Sequence, residues 1–92
     1  PYFPTMYYHI FSTRNRKLII WIKSAEIQYL IPAETSLKLN FKISKKDIKF
    51  VEENLNNKGK IEIWHTVEAK NNKEEICAKA KILVYLRDNK IN

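Results

Sequence analysis

Two long runs of side chains that alternate apolar and polar constrain this 92-residue chain more than any other feature. Ile61, Ile63, His65, Val67 and Ala69 alternate with Glu62, Trp64, Thr66 and Glu68. Further on, Ile76, Ala78, Ala80, Ile82, Val84 and Leu86 alternate with Cys77, Lys79, Lys81, Tyr85 and Arg87. Successive strand side chains point to opposite faces, so each run predicts a strand with one face in a core and one in water. Between them, Asn71-Asn72 suits a tight turn, because Asn tolerates positive φ.

The segment from Ile19 to Ile31 predicts another long strand, with Ala25, Ile27, Tyr29 and Ile31 on one face and Ser24, Glu26 and Gln28 on the other. Pro32 has no N–H for a ladder, so the stretch from Pro32 to Ser36 is expected to be a connection. Leu37, Leu39, Phe41 and Ile43 then alternate with Lys38, Asn40 and Lys42. Two strands joined this closely are expected to pair as a hairpin in a curved antiparallel sheet.

Helical signals lie on either side. Ser44 can cap a first-turn N–H, Asp47 can return the bond, and Ile48, Val51 and Leu55 form an apolar stripe flanked by Phe50. This predicts a helix over about residues 45–57, closed by a left-handed cap at Gly59, the only glycine. Near the start, Pro4 fits the first turn of a helix carrying Tyr7, Ile10 and Phe11, before a basic loop over residues 12–17. A sheet with one apolar face must bury it against something, and two turns of helix fall short of covering four strands.

The size predicts one small domain, and 45% hydrophobic with 12% aromatic residues suffice for a core. The longest apolar run, Leu18 to Ile22, is far short of the roughly 20 residues that span a bilayer, so no membrane partner is expected. No basic stretch leading into an apolar one opens the sequence, so no secretory leader is expected in it. One cysteine, Cys77, cannot close an internal disulfide, which favours a reducing cytoplasm. The net charge of +7 would draw anions such as coenzyme A, but almost all of the 17 basic residues are Lys in a chain rich in Ile and Asn. AT-rich coding yields that trio by default, so a solvated lysine surface is the plainer account.

The run IIWIKSAEIQYLIPAETSLKLNFKIS resembles a strand and its partner in hotdog-fold thioesterase-like proteins. Its QYLIPA element is similar to their aromatic, aliphatic, X, proline, small-residue hallmark. The order also resembles a poorly characterised bacterial branch of unknown function. PTMYYHIF resembles the proline and aromatics that end that branch's helix, followed by Trp21 on a strand, an inserted helix near residues 45–57 and a closing Tyr85-Leu86-Arg87. The resemblance implies an α+β fold: a curved, mostly antiparallel sheet packed on a central helix. It also implies a first strand and most of that helix before Pro4, which this sequence lacks. The expectation is a single hotdog-like domain over residues 1–92, with segments skipped near Phe3 and Pro4.

The implied activity is the handling of acyl thioesters, hydrolysis of acyl-coenzyme A among it, with backbone N–H groups polarising the thioester and a carboxylate activating water. No residue from Pro4 to Thr13 can be that acid, so no catalytic residue is assigned and catalysis is left open. The substrate-pocket candidates are Tyr7, Tyr8, Trp21 and Lys23. Tyr7 and Tyr8 follow the proline where an acyl tunnel would run, with core packing the plainer role. Trp21 and Lys23 lie on the strand that pairs with its symmetry mate in such dimers, which predicts a homodimer or higher homo-oligomer through Ile19 to Ile31. His9 is expected at the surface or in packing, and His65 as a buried, neutral, hydrogen-bonded histidine. Two histidines and a cysteine without ligand spacing argue against a metal site, and one glycine cannot build a phosphate loop. No cofactor is expected; coenzyme A enters only as part of a substrate, with acyl-carrier protein as a possible partner.

Two alternatives stay open. One is a small basic nucleic-acid-binding domain, with Trp64 and Tyr85 among Lys58, Lys60, Lys79, Lys81 and Arg87 as a stacking platform. The Lys-for-Arg bias, the nearby glutamates and the lack of an RNA-recognition signature make nucleic acid the weaker expectation. The other is a non-catalytic hotdog protein that binds an acyl ligand or a partner.

Overall fold

A computed structural model describes residues 2–32 and 36–89. Its elements are α1 (Phe3–Ser12), β1 (Leu18–Tyr29), β2 (Lys38–Leu39), α2 (Lys45–Lys58), β3 (Lys60–Lys70) and β4 (Ile76–Asp88). The strands form one curled antiparallel sheet in the order β1-β4-β3-β2, with both helices contributing to the core. This is the α+β, hotdog-like class that the strand pattern and the resemblance imply.

The expected hairpin between the strand starting at Ile19 and the one starting at Leu37 does not form. β1 pairs with β4, from Leu18 opposite Asp88 to Tyr29 opposite Ala78, while β2 pairs with β3, so the two lie at opposite edges. The reason is competition. β3 and β4 zip through a short local loop and occupy the centre, leaving β1 the far side of β4 and β2 the far side of β3. The connection can reach: roughly eight residues extend to over 25 Å, against about 14 Å for three strand spacings.

β2 is also much shorter than the alternating run over residues 37–43 predicts. Phe41 leaves the sheet edge to meet Phe3 edge-to-face at 5.4 Å, and it packs with Ile43 against the core. The β3–β4 loop differs in mechanism from the expected Asn turn. Asn71 keeps its backbone ordinary and uses its side-chain oxygen to accept from the N–H groups of Lys73 (2.9 Å) and Glu75 (3.0 Å). The positive φ falls instead on Glu74, at 64°.

The helices form as their local signals predict. In α2, Ser44 Oγ accepts from Asp47 N–H at 3.1 Å and Asp47 returns the bond at 3.0 Å, a complete capping box. Gly59 ends it at φ 75°, its N–H bonded to Leu55 O at 2.9 Å. In α1, Phe3, Tyr7 and Phe11 recur every four residues and are all buried. Val51 and Leu55 of α2 join them over Ile63, Val67, Val84 and Leu86, so the second helix supplies cover that α1 alone lacks. Arg16 grips Asp88 with two bonds of 2.8 and 3.1 Å, tying the loop after α1 to the end of β4. Among the described residues no helix is long and apolar enough to cross a membrane.

Ser44→Ala removes half the capping box and is expected to destabilise the fold by about 1 kcal/mol. Urea unfolding followed by circular dichroism checks this. An unchanged midpoint would show that the cap contributes nothing.

Candidate functional site

The second half of β1 sets the geometry of the site. Up to Ile22 its inward side chains meet the core, Ile20 opposite Leu86 and Ile22 opposite Val84. A β-bulge between Ile22 and Ser24 shifts the register, after which Ala25, Ile27 and Tyr29 oppose Ile82, Ala80 and Ala78. The expected alternation is therefore present, but this face is not in the core: Ile27 is 59% and Tyr29 80% exposed. No helix residue in the core cluster reaches this far along β1, and β4 offers alanines rather than large side chains here.

Small residues beside an uncovered strand leave a hollow. It has a volume of about 410 Å³ and is lined by Tyr29, Leu30, Ile31, Pro32, Leu37, Cys77 and Ala78. Its wall is held by backbone bonds: the N–H groups of Leu30 (2.8 Å) and Ile31 (3.3 Å) both donate to Cys77 O. Pro32 then ends the ladder. The volume lies within the range of about 300–1,000 Å³ typical of small-molecule sites. Among the described residues its lining is apolar and carries no carboxylate, imidazole or ammonium group. Such a surface can hold a hydrocarbon chain by excluding water, and its described lining offers no general base.

Among the described residues the one buried pair of polar side chains lies elsewhere, inside the core. Tyr7 Oη and His65 Nε2 are 2.6 Å apart, and Phe3 stacks on the imidazole at 4.2 Å. His65 is only 6% exposed, as expected of a buried, hydrogen-bonded histidine. Burial lowers the His65 pKa below the ordinary 6.5, with Asp47 opposing, so the ring is neutral. Burial, then the Asp47 charge, raises that of Tyr7, so its hydroxyl keeps its proton. The pair shares no residue with the apolar hollow, and this arrangement is structural.

The four residues singled out from sequence do not converge. Tyr7 is in the core. Tyr8, the next residue round the helix, is exposed beside a shallow depression with Tyr2, Thr5, Leu18 and Ile20. Trp21 and Lys23 lie on the outer face of the sheet. There Trp21 stacks on Tyr85 at 4.4 Å, while Lys23 pairs with Glu62 and sits 5.9 Å from the Tyr85 ring. His9 lies at the surface against Tyr8. None of these lines the hollow. Sequence reasoning had its signal in the QYLIPA run, which supplies Tyr29 to Pro32, but not in Leu37, Cys77 or Ala78. Among the described residues, no three His, Cys, Asp or Glu side chains gather to hold a metal.

A curled antiparallel sheet on helices, with an apolar hollow beside an open edge strand, defines a hotdog-like α+β protein. Among solved structures it is similar to the crystal structure of a Pseudomonas aeruginosa protein of unknown function described as a probable thioesterase, with a TM-score of 0.74 and 18% identity. The match covers 83% of this chain and 50% of that one, so this chain spans half the length of its neighbour. At this identity the likeness establishes the fold. No family model and no curated protein matches the sequence.

The buried pair makes stability depend on pH from both sides. Because the folded His65 binds its proton more weakly than the unfolded one, stability present above 6.5 is lost as pH falls from there through the folded value. Tyr7 has the opposite sign: stability present below 10.0 is lost as pH rises beyond it. Urea unfolding from about pH 5 to 11 is expected to show both limbs, with His65→Leu flattening the acid one. Tyr7→Phe strands a buried nitrogen and is expected to cost about 1–3 kcal/mol.

Proposed function

We propose that this chain is an acyl-thioester-handling protein of the hotdog type, binding the acyl chain in the apolar hollow at the end of β1. The carrying observation is that hollow: about 410 Å³, apolar, and placed beside the edge strand of a hotdog-like sheet. The acyl group of a thioester such as acyl-coenzyme A matches such a lining, and the lysine-rich surface suits the phosphates of its carrier. The Pseudomonas neighbour, described as a probable thioesterase, supports the same class at the level of fold. Hydrolysis needs a carboxylate at the hollow, and its described lining provides none. The bacterial branch of unknown function fits this reading. So does a reducing cytoplasm for a protein whose single cysteine is buried and unpaired.

β1 supports a homodimer in the same reading. Among the described residues it pairs only with β4, so its outer edge presents unpaired backbone groups next to exposed Ile27 and Tyr29. A symmetry mate adding its own β1 there would continue the sheet and close over the hollow.

Calorimetric titration with saturated acyl-coenzyme A of increasing chain length tests the ligand. Affinity is expected to rise about fourfold per methylene, the equivalent of about 0.8 kcal/mol each. Leu37→Glu, on an exposed residue of the hollow, is expected to abolish that rise. Equal affinity for all chain lengths and for free coenzyme A would sink the reading. For the dimer, a proline at Gln28 interrupts β1 and is expected to shift sedimentation towards monomer. A dimer unaffected by it would place the interface elsewhere.

A further inference from the structure

A second cleft lies on the outer face of the sheet, between β3 and the edge strand β2. Thr66, Glu68 and Lys70 of β3 alternate with the buried Val67 and Ala69, so they point away from the core. Lys38 stands directly opposite Lys70 in the β2–β3 ladder, and Asn40 and Lys42 follow Lys38 at the same period. With Glu74 from the β3–β4 loop, these residues line a volume of about 330 Å³. The cleft shares no described lining residue with the apolar hollow.

Its charges differ from those of a plain solvated lysine surface. Lysines directly opposite one another across a ladder lie about 5 Å apart at Cβ and repel. Lysine on an edge strand guards it against unwanted pairing, which accounts for Lys38 alone. Lys70 lies on β3, inside the sheet and half-buried, where no guard is needed. Among the described residues, Lys38, Lys42 and Lys70 make no salt bridge. Glu68 already stands opposite Lys79 on β4, which leaves Glu74 as the described carboxylate facing these lysines.

We propose that this cleft binds a small sugar phosphate. The lysines supply the counter-charge that a phosphate needs, and its oxygens turn the repulsion between Lys38 and Lys70 into shared attraction. The rest of the lining selects what carries the phosphate. The Asn40 amide, the Thr66 hydroxyl and the carboxylates of Glu68 and Glu74 can donate to and accept from a ring of hydroxyls. Among the described residues no aromatic lines the cleft to stack a base. Its volume lies at the lower end of the range for small-molecule sites, about 300–1,000 Å³, and suits one monosaccharide. The carboxylates also disfavour a polyanion, which would bring further phosphates against them.

Titration of isotope-labelled protein with ribose 5-phosphate at low salt, followed by amide shifts in NMR, tests this. The shifts are expected to centre on residues 38–42, 66–70 and 74, with weaker binding of inorganic phosphate and no binding of ribose. Lys38→Glu replaces the like-charged pair by an opposite one. It is expected to raise the melting temperature of the free protein and to weaken ribose 5-phosphate binding about tenfold or more. Lys42→Gln, at an exposed position outside the ladder, is expected to weaken it several-fold. Binding of long-chain acyl-coenzyme A at the hollow is expected to be unchanged in Lys38→Glu. Three results would overturn the proposal: shifts scattered over the whole lysine surface, equal affinity for inorganic phosphate, or Lys38→Glu binding ribose 5-phosphate like the parent. Loss of acyl-coenzyme A binding in Lys38→Glu would overturn it as well, by assigning the cleft to the phosphates of the acyl carrier.

Discussion

Helix cover that stops partway along the sheet is the constraint on which the rest of this structure depends. α1 has 10 residues and extends about 15 Å, whereas β4 has 13 and extends over 40 Å. Where α1 and α2 lie over the strands, large side chains fill the space: Leu86 and Val84 on β4, Ile63 on β3 and Leu18 on β1 are buried. Further along, β4 turns to alanine at Ala80, still against the core, and Ala78, while β1 holds Ile27 and Tyr29 out in solvent. The hollow, the open strand edge and the exposed apolar residues are consequences of one mismatch in length. Exposed apolar area of this kind costs about 25 cal/mol per Å² relative to burial, which gives a ligand or a second copy a reason to bind.

The Tyr7–His65 bond fixes how the covered half is assembled. An apolar pair at these positions would pack α1 on β3 with several registers of similar energy. A hydroxyl and an imidazole nitrogen must meet at hydrogen-bond distance or each pays for lost water. Phe3, one turn before Tyr7 on α1, stacks flat on the same ring and leaves α1 little freedom to slide. No described buried side-chain polar atom lacks a partner, so the core buys this specificity without stranding a group.

What was legible in the sequence follows the range of the physics involved. Ser44, Asp47 and Gly59 report a helix because capping is settled within a few residues, and the structure places both ends of α2 there. Alternation reports which face each of Ile63, Val67, Val84 and Leu86 takes, because the strand period is local. Strand partners are different. Nothing near Pro32 says that β1 will prefer β4, whose paired residues lie 49 to 70 positions away in the chain, over the strand that follows it. The hotdog resemblance supplied the class of fold, not this pairing. The hollow was illegible for the same reason: Tyr29, Leu37 and Ala78 meet only after the sheet has closed. Trp21 and Lys23 could be assigned to a strand from sequence, but whether they faced inward depended on the bulge and the partner.

The two faces of the sheet divide the work by charge as well as by shape. The described side chains that line the hollow are neutral, so in the proposed reading the net charge of +7 draws an anionic carrier near while its acyl chain is held by water exclusion. The outer face carries Glu26, Glu62 and Glu68, each beside a lysine of the same chain, with Lys60 and Arg87 at one end. The cross-strand alternation that sets Glu26 against Lys81 and Glu68 against Lys79 comes from the same period of two that turns Val67 and Ala80 towards the inner face. One repeat, read on opposite sides, thus makes one face apolar and the other charged and aromatic.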